Sequence, residues 1–134
     1  LWSATSYKRL REEALAVTRW NLLHPTEERR IPMVTRLLSD VDGPVIAVTD
    51  YMRLVPDQVS RWVPKPFTTL GTDGFGRSDA RKALRRHFEV DTGHIVAATL
   101  STLAGEGAVP HTVVRDAFDR YEIDPEAPDP AISR

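Results

Sequence analysis

The chain has 134 residues, 41% hydrophobic and 28% charged, which suits one ordinary globular domain and excludes a second catalytic domain within it. Its 18 Lys and Arg against 19 Asp and Glu leave a net charge of -1, so no whole-molecule positive field gathers nucleic acid or anionic lipid. The absence of cysteine excludes a disulfide framework and any thiolate metal site and makes the cytoplasm the default compartment, while no apolar run approaches the ~18 residues of a membrane span.

Leu1 to Ala4 read as the end of an apolar strand, followed at once by turn-like Thr5 and Ser6. With no initiator Met, that opening is expected of a cleaved or excised fragment. Tyr7, Leu10, Ala14 and Val17 then recur at helical spacing, predicting a helix over residues 7–20 with Ser6 as its cap. Asn21 to Ile31, with Pro25 and four charged residues in a row, predicts a surface loop. Pro32 suits a first helical position, and Val34, Leu37, Leu38 and Val41 form one stripe that stops near Asp42 and Gly43.

Pro44 to Thr49 is β-branched and continuously apolar, as expected of a strand covered on both faces in a parallel sheet. Val55, Val59, Trp62 and Val63 predict a crossover helix, and Phe67 to Leu70 predict a second strand. Parallel neighbours require such a crossover, so the middle of the chain argues for a βαβ unit. A glycine-rich stretch, Gly71 to Gly76, leads into Ser78 as a helix cap, with Asp79 beside it and Ala80, Ala83, Leu84, His87 and Phe88 on one face. A helix over residues 92–104 and another begun by Pro110, with Val113, Val114, Ala117, Phe118 and Tyr121 inward, make the C-terminal half helical. The fold class is thus α/β, a small mainly parallel sheet flanked by helices. Residues 1–124 form the domain, and residues 125–134 a Pro- and Asp-rich tail lying extended on a surface or partly mobile.

The glycines at 71, 74 and 76 permit positive φ or close approach, and a helix start just after them can hold an anion. The phosphate-loop spacing and its Lys are missing and Asp73 repels phosphate, so a structural turn or subunit contact is the preferred reading. His24, His87, His94 and His111 are too scattered for a helical zinc site, and His87 reads as a packed or C-capping side chain. Asp50 and Asp73 follow two successive strands, where open α/β sheets present a ligand crevice. Binding of loop N–H groups is nonetheless the commoner use of such residues than acid–base work. Arg81, Lys82, Arg85 and Arg86 read as a solvated helix face, with Asp79 spaced to pair with one neighbour, and Trp2, Trp20 and Trp62 as core or interface anchors.

Five runs, LWSATS at Leu1, RWNLLHP at Arg19, TDYMR at Thr49, LGTDGFGRSD at Leu70 and LRRHFEVD at Leu84, carry a further signal. Through them the chain resembles the C-terminal, transketolase-like domain of the homodimeric-type pyruvate dehydrogenases. The resemblance implies a parent enzyme that decarboxylates pyruvate on thiamine diphosphate with Mg2+ and acetylates the lipoyl group of an acetyltransferase component. It places both cofactors outside these residues, so no catalytic, cofactor-binding or metal residue is carried onto this chain. It also implies a domain lacking its first strand and helix, inactive alone, that supports a homodimer and meets the remainder of its own polypeptide. Asp50, Tyr51, Thr72, Asp73, Gly74, Phe75, Gly76 and Arg77 are the candidate inter-domain or subunit contact loops. The alternative is a free-standing α/β module that binds a small anionic or nucleotide ligand at residues 71–79.

Overall fold

The computed structural model describes residues 1–133. Helix α1 spans Tyr7–Leu23, and the Ser6 hydroxyl accepts the Arg9 N–H at 3.2 Å, satisfying one of the four free N–H groups of the first turn. It runs three residues past the expected end, and His24 closes it by hydrogen bonding through both its N–H and its ring Nδ1 to the Trp20 carbonyl. The loop that follows is short-circuited by Asn21, whose amide both donates to and accepts from the backbone of Arg30 at 2.9 Å. Helix α2, Met33–Ser39, starts one residue later than expected, with Pro32 as the cap, and buries Val34 while Leu37 and Val41 stay exposed.

Strand β1, Val45–Val48, and strand β2, Phe67–Leu70, pair in parallel with Val45 opposite Phe67 and Val48 opposite Leu70. The α/β class and the parallel pairing therefore hold. The crossover is not one helix: α3, Leu54–Asp57, gives way to a 3-10 turn at Ser60–Trp62. Between the two pieces Val59 sits at φ -108 and ψ -1, a bend that drives it and Pro56 into the core. Burial of one β-branched side chain thus outweighs helix continuity there.

Two further expectations fail. Leu1 to Ala4 form no strand and Trp2 is exposed, and β1 is not covered on both faces, since Val48 is 41% exposed. A strand needs a partner ladder. The Val45 and Thr49 N–H groups bond to the Pro66 and Leu70 carbonyls, so the backbone groups of Ile46 and Val48 turn to an edge with no neighbour among the described residues.

Helix α4 spans Arg81–His87, α5 Thr92–Gly105 and α6 His111–Tyr121. α5 packs on α6 and on both strands, burying Ala97, Ala104, Val114 and Ala117, and Thr102 reaches Thr68 of β2 at 3.2 Å. At the opposite face Thr69 donates to Asp57 of the crossover, so side chains alternate between α5 and α3 as a strand requires. α4 begins at Arg81 rather than after Ser78: Ala80, extended at ψ 145, is the cap and carries no side-chain cap bond. Asp79 pairs with none of the neighbouring arginines; its carboxylate instead accepts the Ala80 N–H at 2.7 Å. The tail is not extended. Asp124 and Asp129 each accept an N–H two residues on, folding residues 124–133 into two turns.

Candidate functional site

The parallel pairing brings the two loops singled out from sequence side by side at the C-terminal ends of β1 and β2. Thr72 ties them twice, its N–H donating to the Tyr51 carbonyl at 2.9 Å and its hydroxyl to the Asp50 carbonyl at 2.8 Å. Gly71 makes that approach possible, because a Cβ there would lie 2.6 Å from the Tyr51 oxygen and 2.8 Å from the Arg53 nitrogen. Asp73 completes the clamp by accepting the Arg53 N–H at 2.9 Å and its side-chain Nε at 3.0 Å. Arg53 is the residue that sequence reasoning left out of the site. It stands inside the Thr49 to Arg53 run, but nothing in local spacing links it to a carboxylate twenty positions away.

The clamp shows what Asp50 and Asp73 bond to. Asp73 spends its carboxylate on a backbone amide and a guanidinium, the charge-assisted pairing of a fixed loop. Asp50 contributes its carbonyl rather than its carboxylate. Outside the clamp the same segments hold large apolar side chains in the open: Tyr51, Met52 and Leu54 on one side and Phe75 on the other.

Beside the loop, an open cleft of about 780 Å³ lies between Phe75 to Arg77, the junction of α4 with α5, and the tail. Two of its lining residues, Arg86 and His94, meet Asp91 in an ionic cluster. Asp91 caps α5 through the His94 N–H at 3.0 Å, holds the His94 ring Nδ1 at 2.7 Å, and receives Arg86 at 3.3 Å. Burial pushes the Asp91 carboxyl upward, but the two hydrogen bonds from His94, its charge and the Arg86 bond outweigh that and leave the carboxyl below its ordinary value. Arg86 also donates to the Glu122 carbonyl, joining the ends of α4 and α6. His87, as expected, packs at the end of α4, edge-on to Phe88, with its Nδ1 3.3 Å from Arg77. This cluster was missed as a unit, although an Asp three residues before His94 at a helix start is the signature of a cap.

The scaffold gives no ready anion site at the 71–79 loop. α4 is only seven residues long, and the Asp79 carboxylate already occupies the N–H just before it. Trp20 is an anchor of the α1 end, stacked on His24 at 4.4 Å and covered by the Arg30 guanidinium at 3.8 Å. Trp62 donates its indole N–H to Thr18 at 3.1 Å, locking the crossover to α1.

Comparison with known protein families matches the model described as transketolase-like TK C-terminal domain to residues 1–91, from the N-terminal segment through the Asp91 cap. The chain belongs to this family. The transketolase-like C-terminal match spans both strands, the clamp and α4, so the segments that build the site are family segments. Curated relatives extend the similarity to α5 and α6. A pyruvate dehydrogenase E1 component of Pseudomonas aeruginosa is 49% identical over 97% of this chain. Proteins of the same name from Mycolicibacterium smegmatis and Escherichia coli are 47% and 42% identical over 92% and 99% of it. The chain spans only 13–15% of the length of these three relatives.

Proposed function

We propose that this chain is the C-terminal structural and dimer-supporting domain of a pyruvate dehydrogenase component. The parent enzyme decarboxylates pyruvate on thiamine diphosphate with Mg2+ and passes the acetyl group to the lipoyl arm of an acetyltransferase, in the cytoplasm. Residues 1–124 are the domain and residues 125–134 its C-terminal tail, with no catalytic residue of its own. Its partners are the remainder of the same polypeptide and a second subunit. Family membership and the relatives' shared name support this reading.

One observation carries the structural role: the strand-end loops are closed on each other by Thr72, Asp73 and Arg53, while Tyr51, Met52 and Phe75 project outward. Ligand crevices of open α/β sheets lie at strand ends. Here Thr72, Asp73 and Arg53 are tied to the facing loop while Tyr51, Met52 and Phe75 are left unpartnered in the open, the arrangement of a protein contact. The donor set argues the same way about cofactors. Among the described residues no three His, Asp or Glu side chains converge to hold a metal ion, and Asp73 is already engaged by Arg53. We assign both cofactors to other segments of the parent, a reading supported by the engagement of Asp73 with Arg53. No helix among the described residues is long and apolar enough to cross a membrane.

The test uses the full-length polypeptide that carries this chain. Replacing Tyr51 and Phe75 together by Ser should shift it from dimer toward monomer in sedimentation, with loss of activity that tracks the dimer fraction. A variant that remains fully dimeric, yet loses turnover of pyruvate, would give these residues a chemical role and refute the proposal.

A further inference from the structure

The C-terminal tail lies where a ligand would lie. From the end of α6, where Glu122 takes a left-handed φ of 54 and the Ile123 N–H returns to the Phe118 carbonyl at 2.9 Å, the chain turns back toward the glycine loop. Arg86 fixes the start of this segment through the Glu122 carbonyl. The two Asp-initiated turns then carry Asp129, Pro130 and Ala131 onto the glycine loop.

The fit there is close. Gly74 stands at φ 107, and a Cβ on it would meet the Pro130 carbonyl oxygen at 2.3 Å and the Ala131 Cα at 3.2 Å. What remains of the crevice between Arg53, Gly71 and Asp73 on one side and the tail on the other is about 20 Å³. That is room for roughly one water molecule. The same tail forms one wall of the large cleft, through Ala127, Pro128 and Ser133.

We infer that residues 125–133 are an internal strap that seats on Gly74, seals the C-terminal ends of β1 and β2, and holds the 71–77 loop and its clamp in place. Two physical effects follow from seating. The strap borders the Arg53 and Asp73 ion pair, whose side chains stay 44% and 26% exposed with it seated, so it acts by holding the loop in position rather than by drying the pair. It also fixes Gly74, the one loop residue whose left-handed backbone and missing side chain are both required for the contact. The strap reports the state of the C-terminus to the face that carries Tyr51 and Phe75. Any small molecule that binds at the strand ends must first displace it.

The test compares amide exchange in the full chain, in Gly74→Ala, and in a chain ending at Asp124. The probes are the N–H groups of Arg53 and Thr72, the two backbone donors of the clamp. Gly76→Ala serves as the control, because a Cβ there meets nothing within 4 Å. Both the Gly74→Ala and the shortened chain should exchange Arg53 and Thr72 at least tenfold faster, with α5 and α6 amides unchanged and Gly76→Ala like the parent. Unchanged Arg53 and Thr72 protection in the shortened chain would overturn the proposal. So would loss of α5 and α6 protection in that chain, since the tail would then be part of the core rather than a strap. Should Gly74→Ala alone fail to fold, the shortened chain decides.

Discussion

Gly71→Ala is the sharpest perturbation of the clamp, because the atoms in the way are backbone. The new methyl would sit 2.6 Å from the Tyr51 oxygen, 2.8 Å from the Arg53 nitrogen and 3.1 Å from the Met52 carbonyl carbon. None of these can rotate aside, so the loops must separate. Separation breaks the two Thr72 bonds, at 2.9 and 2.8 Å, each contributing about 1 kcal/mol net. Overpacking adds about 1–3 kcal/mol. The sum of about 3–5 kcal/mol converts to a fall in Tm of roughly 9–20 °C for a domain of this size. Differential scanning calorimetry reads it. Gly105→Ala is the matched control: a Cβ there meets nothing within 4 Å, and at the last position of α5 it should raise stability by about 0.5–1 kcal/mol. If Gly71→Ala melted within about 2 °C of the unaltered chain, the close approach of the two loops would not be a determinant of stability and the clamp argument would fail.

Other substitutions probe separate parts of the fold. Glu89 and Glu122 hold left-handed positions at φ 58 and 54, so changing either to Gly should raise stability by about 0.5–1 kcal/mol each, read as a higher urea midpoint. Thr18→Val keeps the shape but strands the Trp62 indole N–H, and chemical denaturation should register a loss of about 1–3 kcal/mol. Asp91→Ala removes the α5 cap and the Arg86 link and should cost about 1–2 kcal/mol at neutral pH. Because the folded Asp91 carboxyl titrates below its ordinary value of 3.8, the unfolded chain takes up the proton first as pH falls. The advantage over Asp91→Asn should therefore be constant at neutral pH, narrow as pH drops below about 4–5, and vanish under the folded-state value. An advantage that grew on acidification would contradict the assigned contacts.

Local chemistry carried much of the fold. The β-branched runs at Val45 and Phe67 and the apolar stripes of α1, α5 and α6 were each readable from period and composition, and the strand, crossover, strand order implied the parallel pairing that brings the loops together. What was not readable depends on contacts distant in sequence. Ser78 has every local property of a cap, yet the loop is positioned by Gly71 and Asp73 against the Tyr51 turn and by Pro130 against Gly74, and the helix starts where those contacts release it. Val59 leaves a helical pattern because the core needs its side chain. Leu1 to Ala4 look like a strand and remain unpaired, since a strand is a property of two segments rather than one. At the site, Asp73 was visible and its partner Arg53 was not, and the tail's Pro and Asp content marked turns without revealing what they rest on.

We propose that these residues scaffold a thiamine diphosphate centre built in other segments of the parent enzyme. Isothermal titration of the chain with thiamine diphosphate and Mg2+ tests it most directly, with chemical-shift perturbation of residues 49–53 and 71–77 recorded on the same sample. No heat beyond dilution and no shifts at those loops are expected. Saturable micromolar binding centred on Asp50 and Asp73 would contradict it.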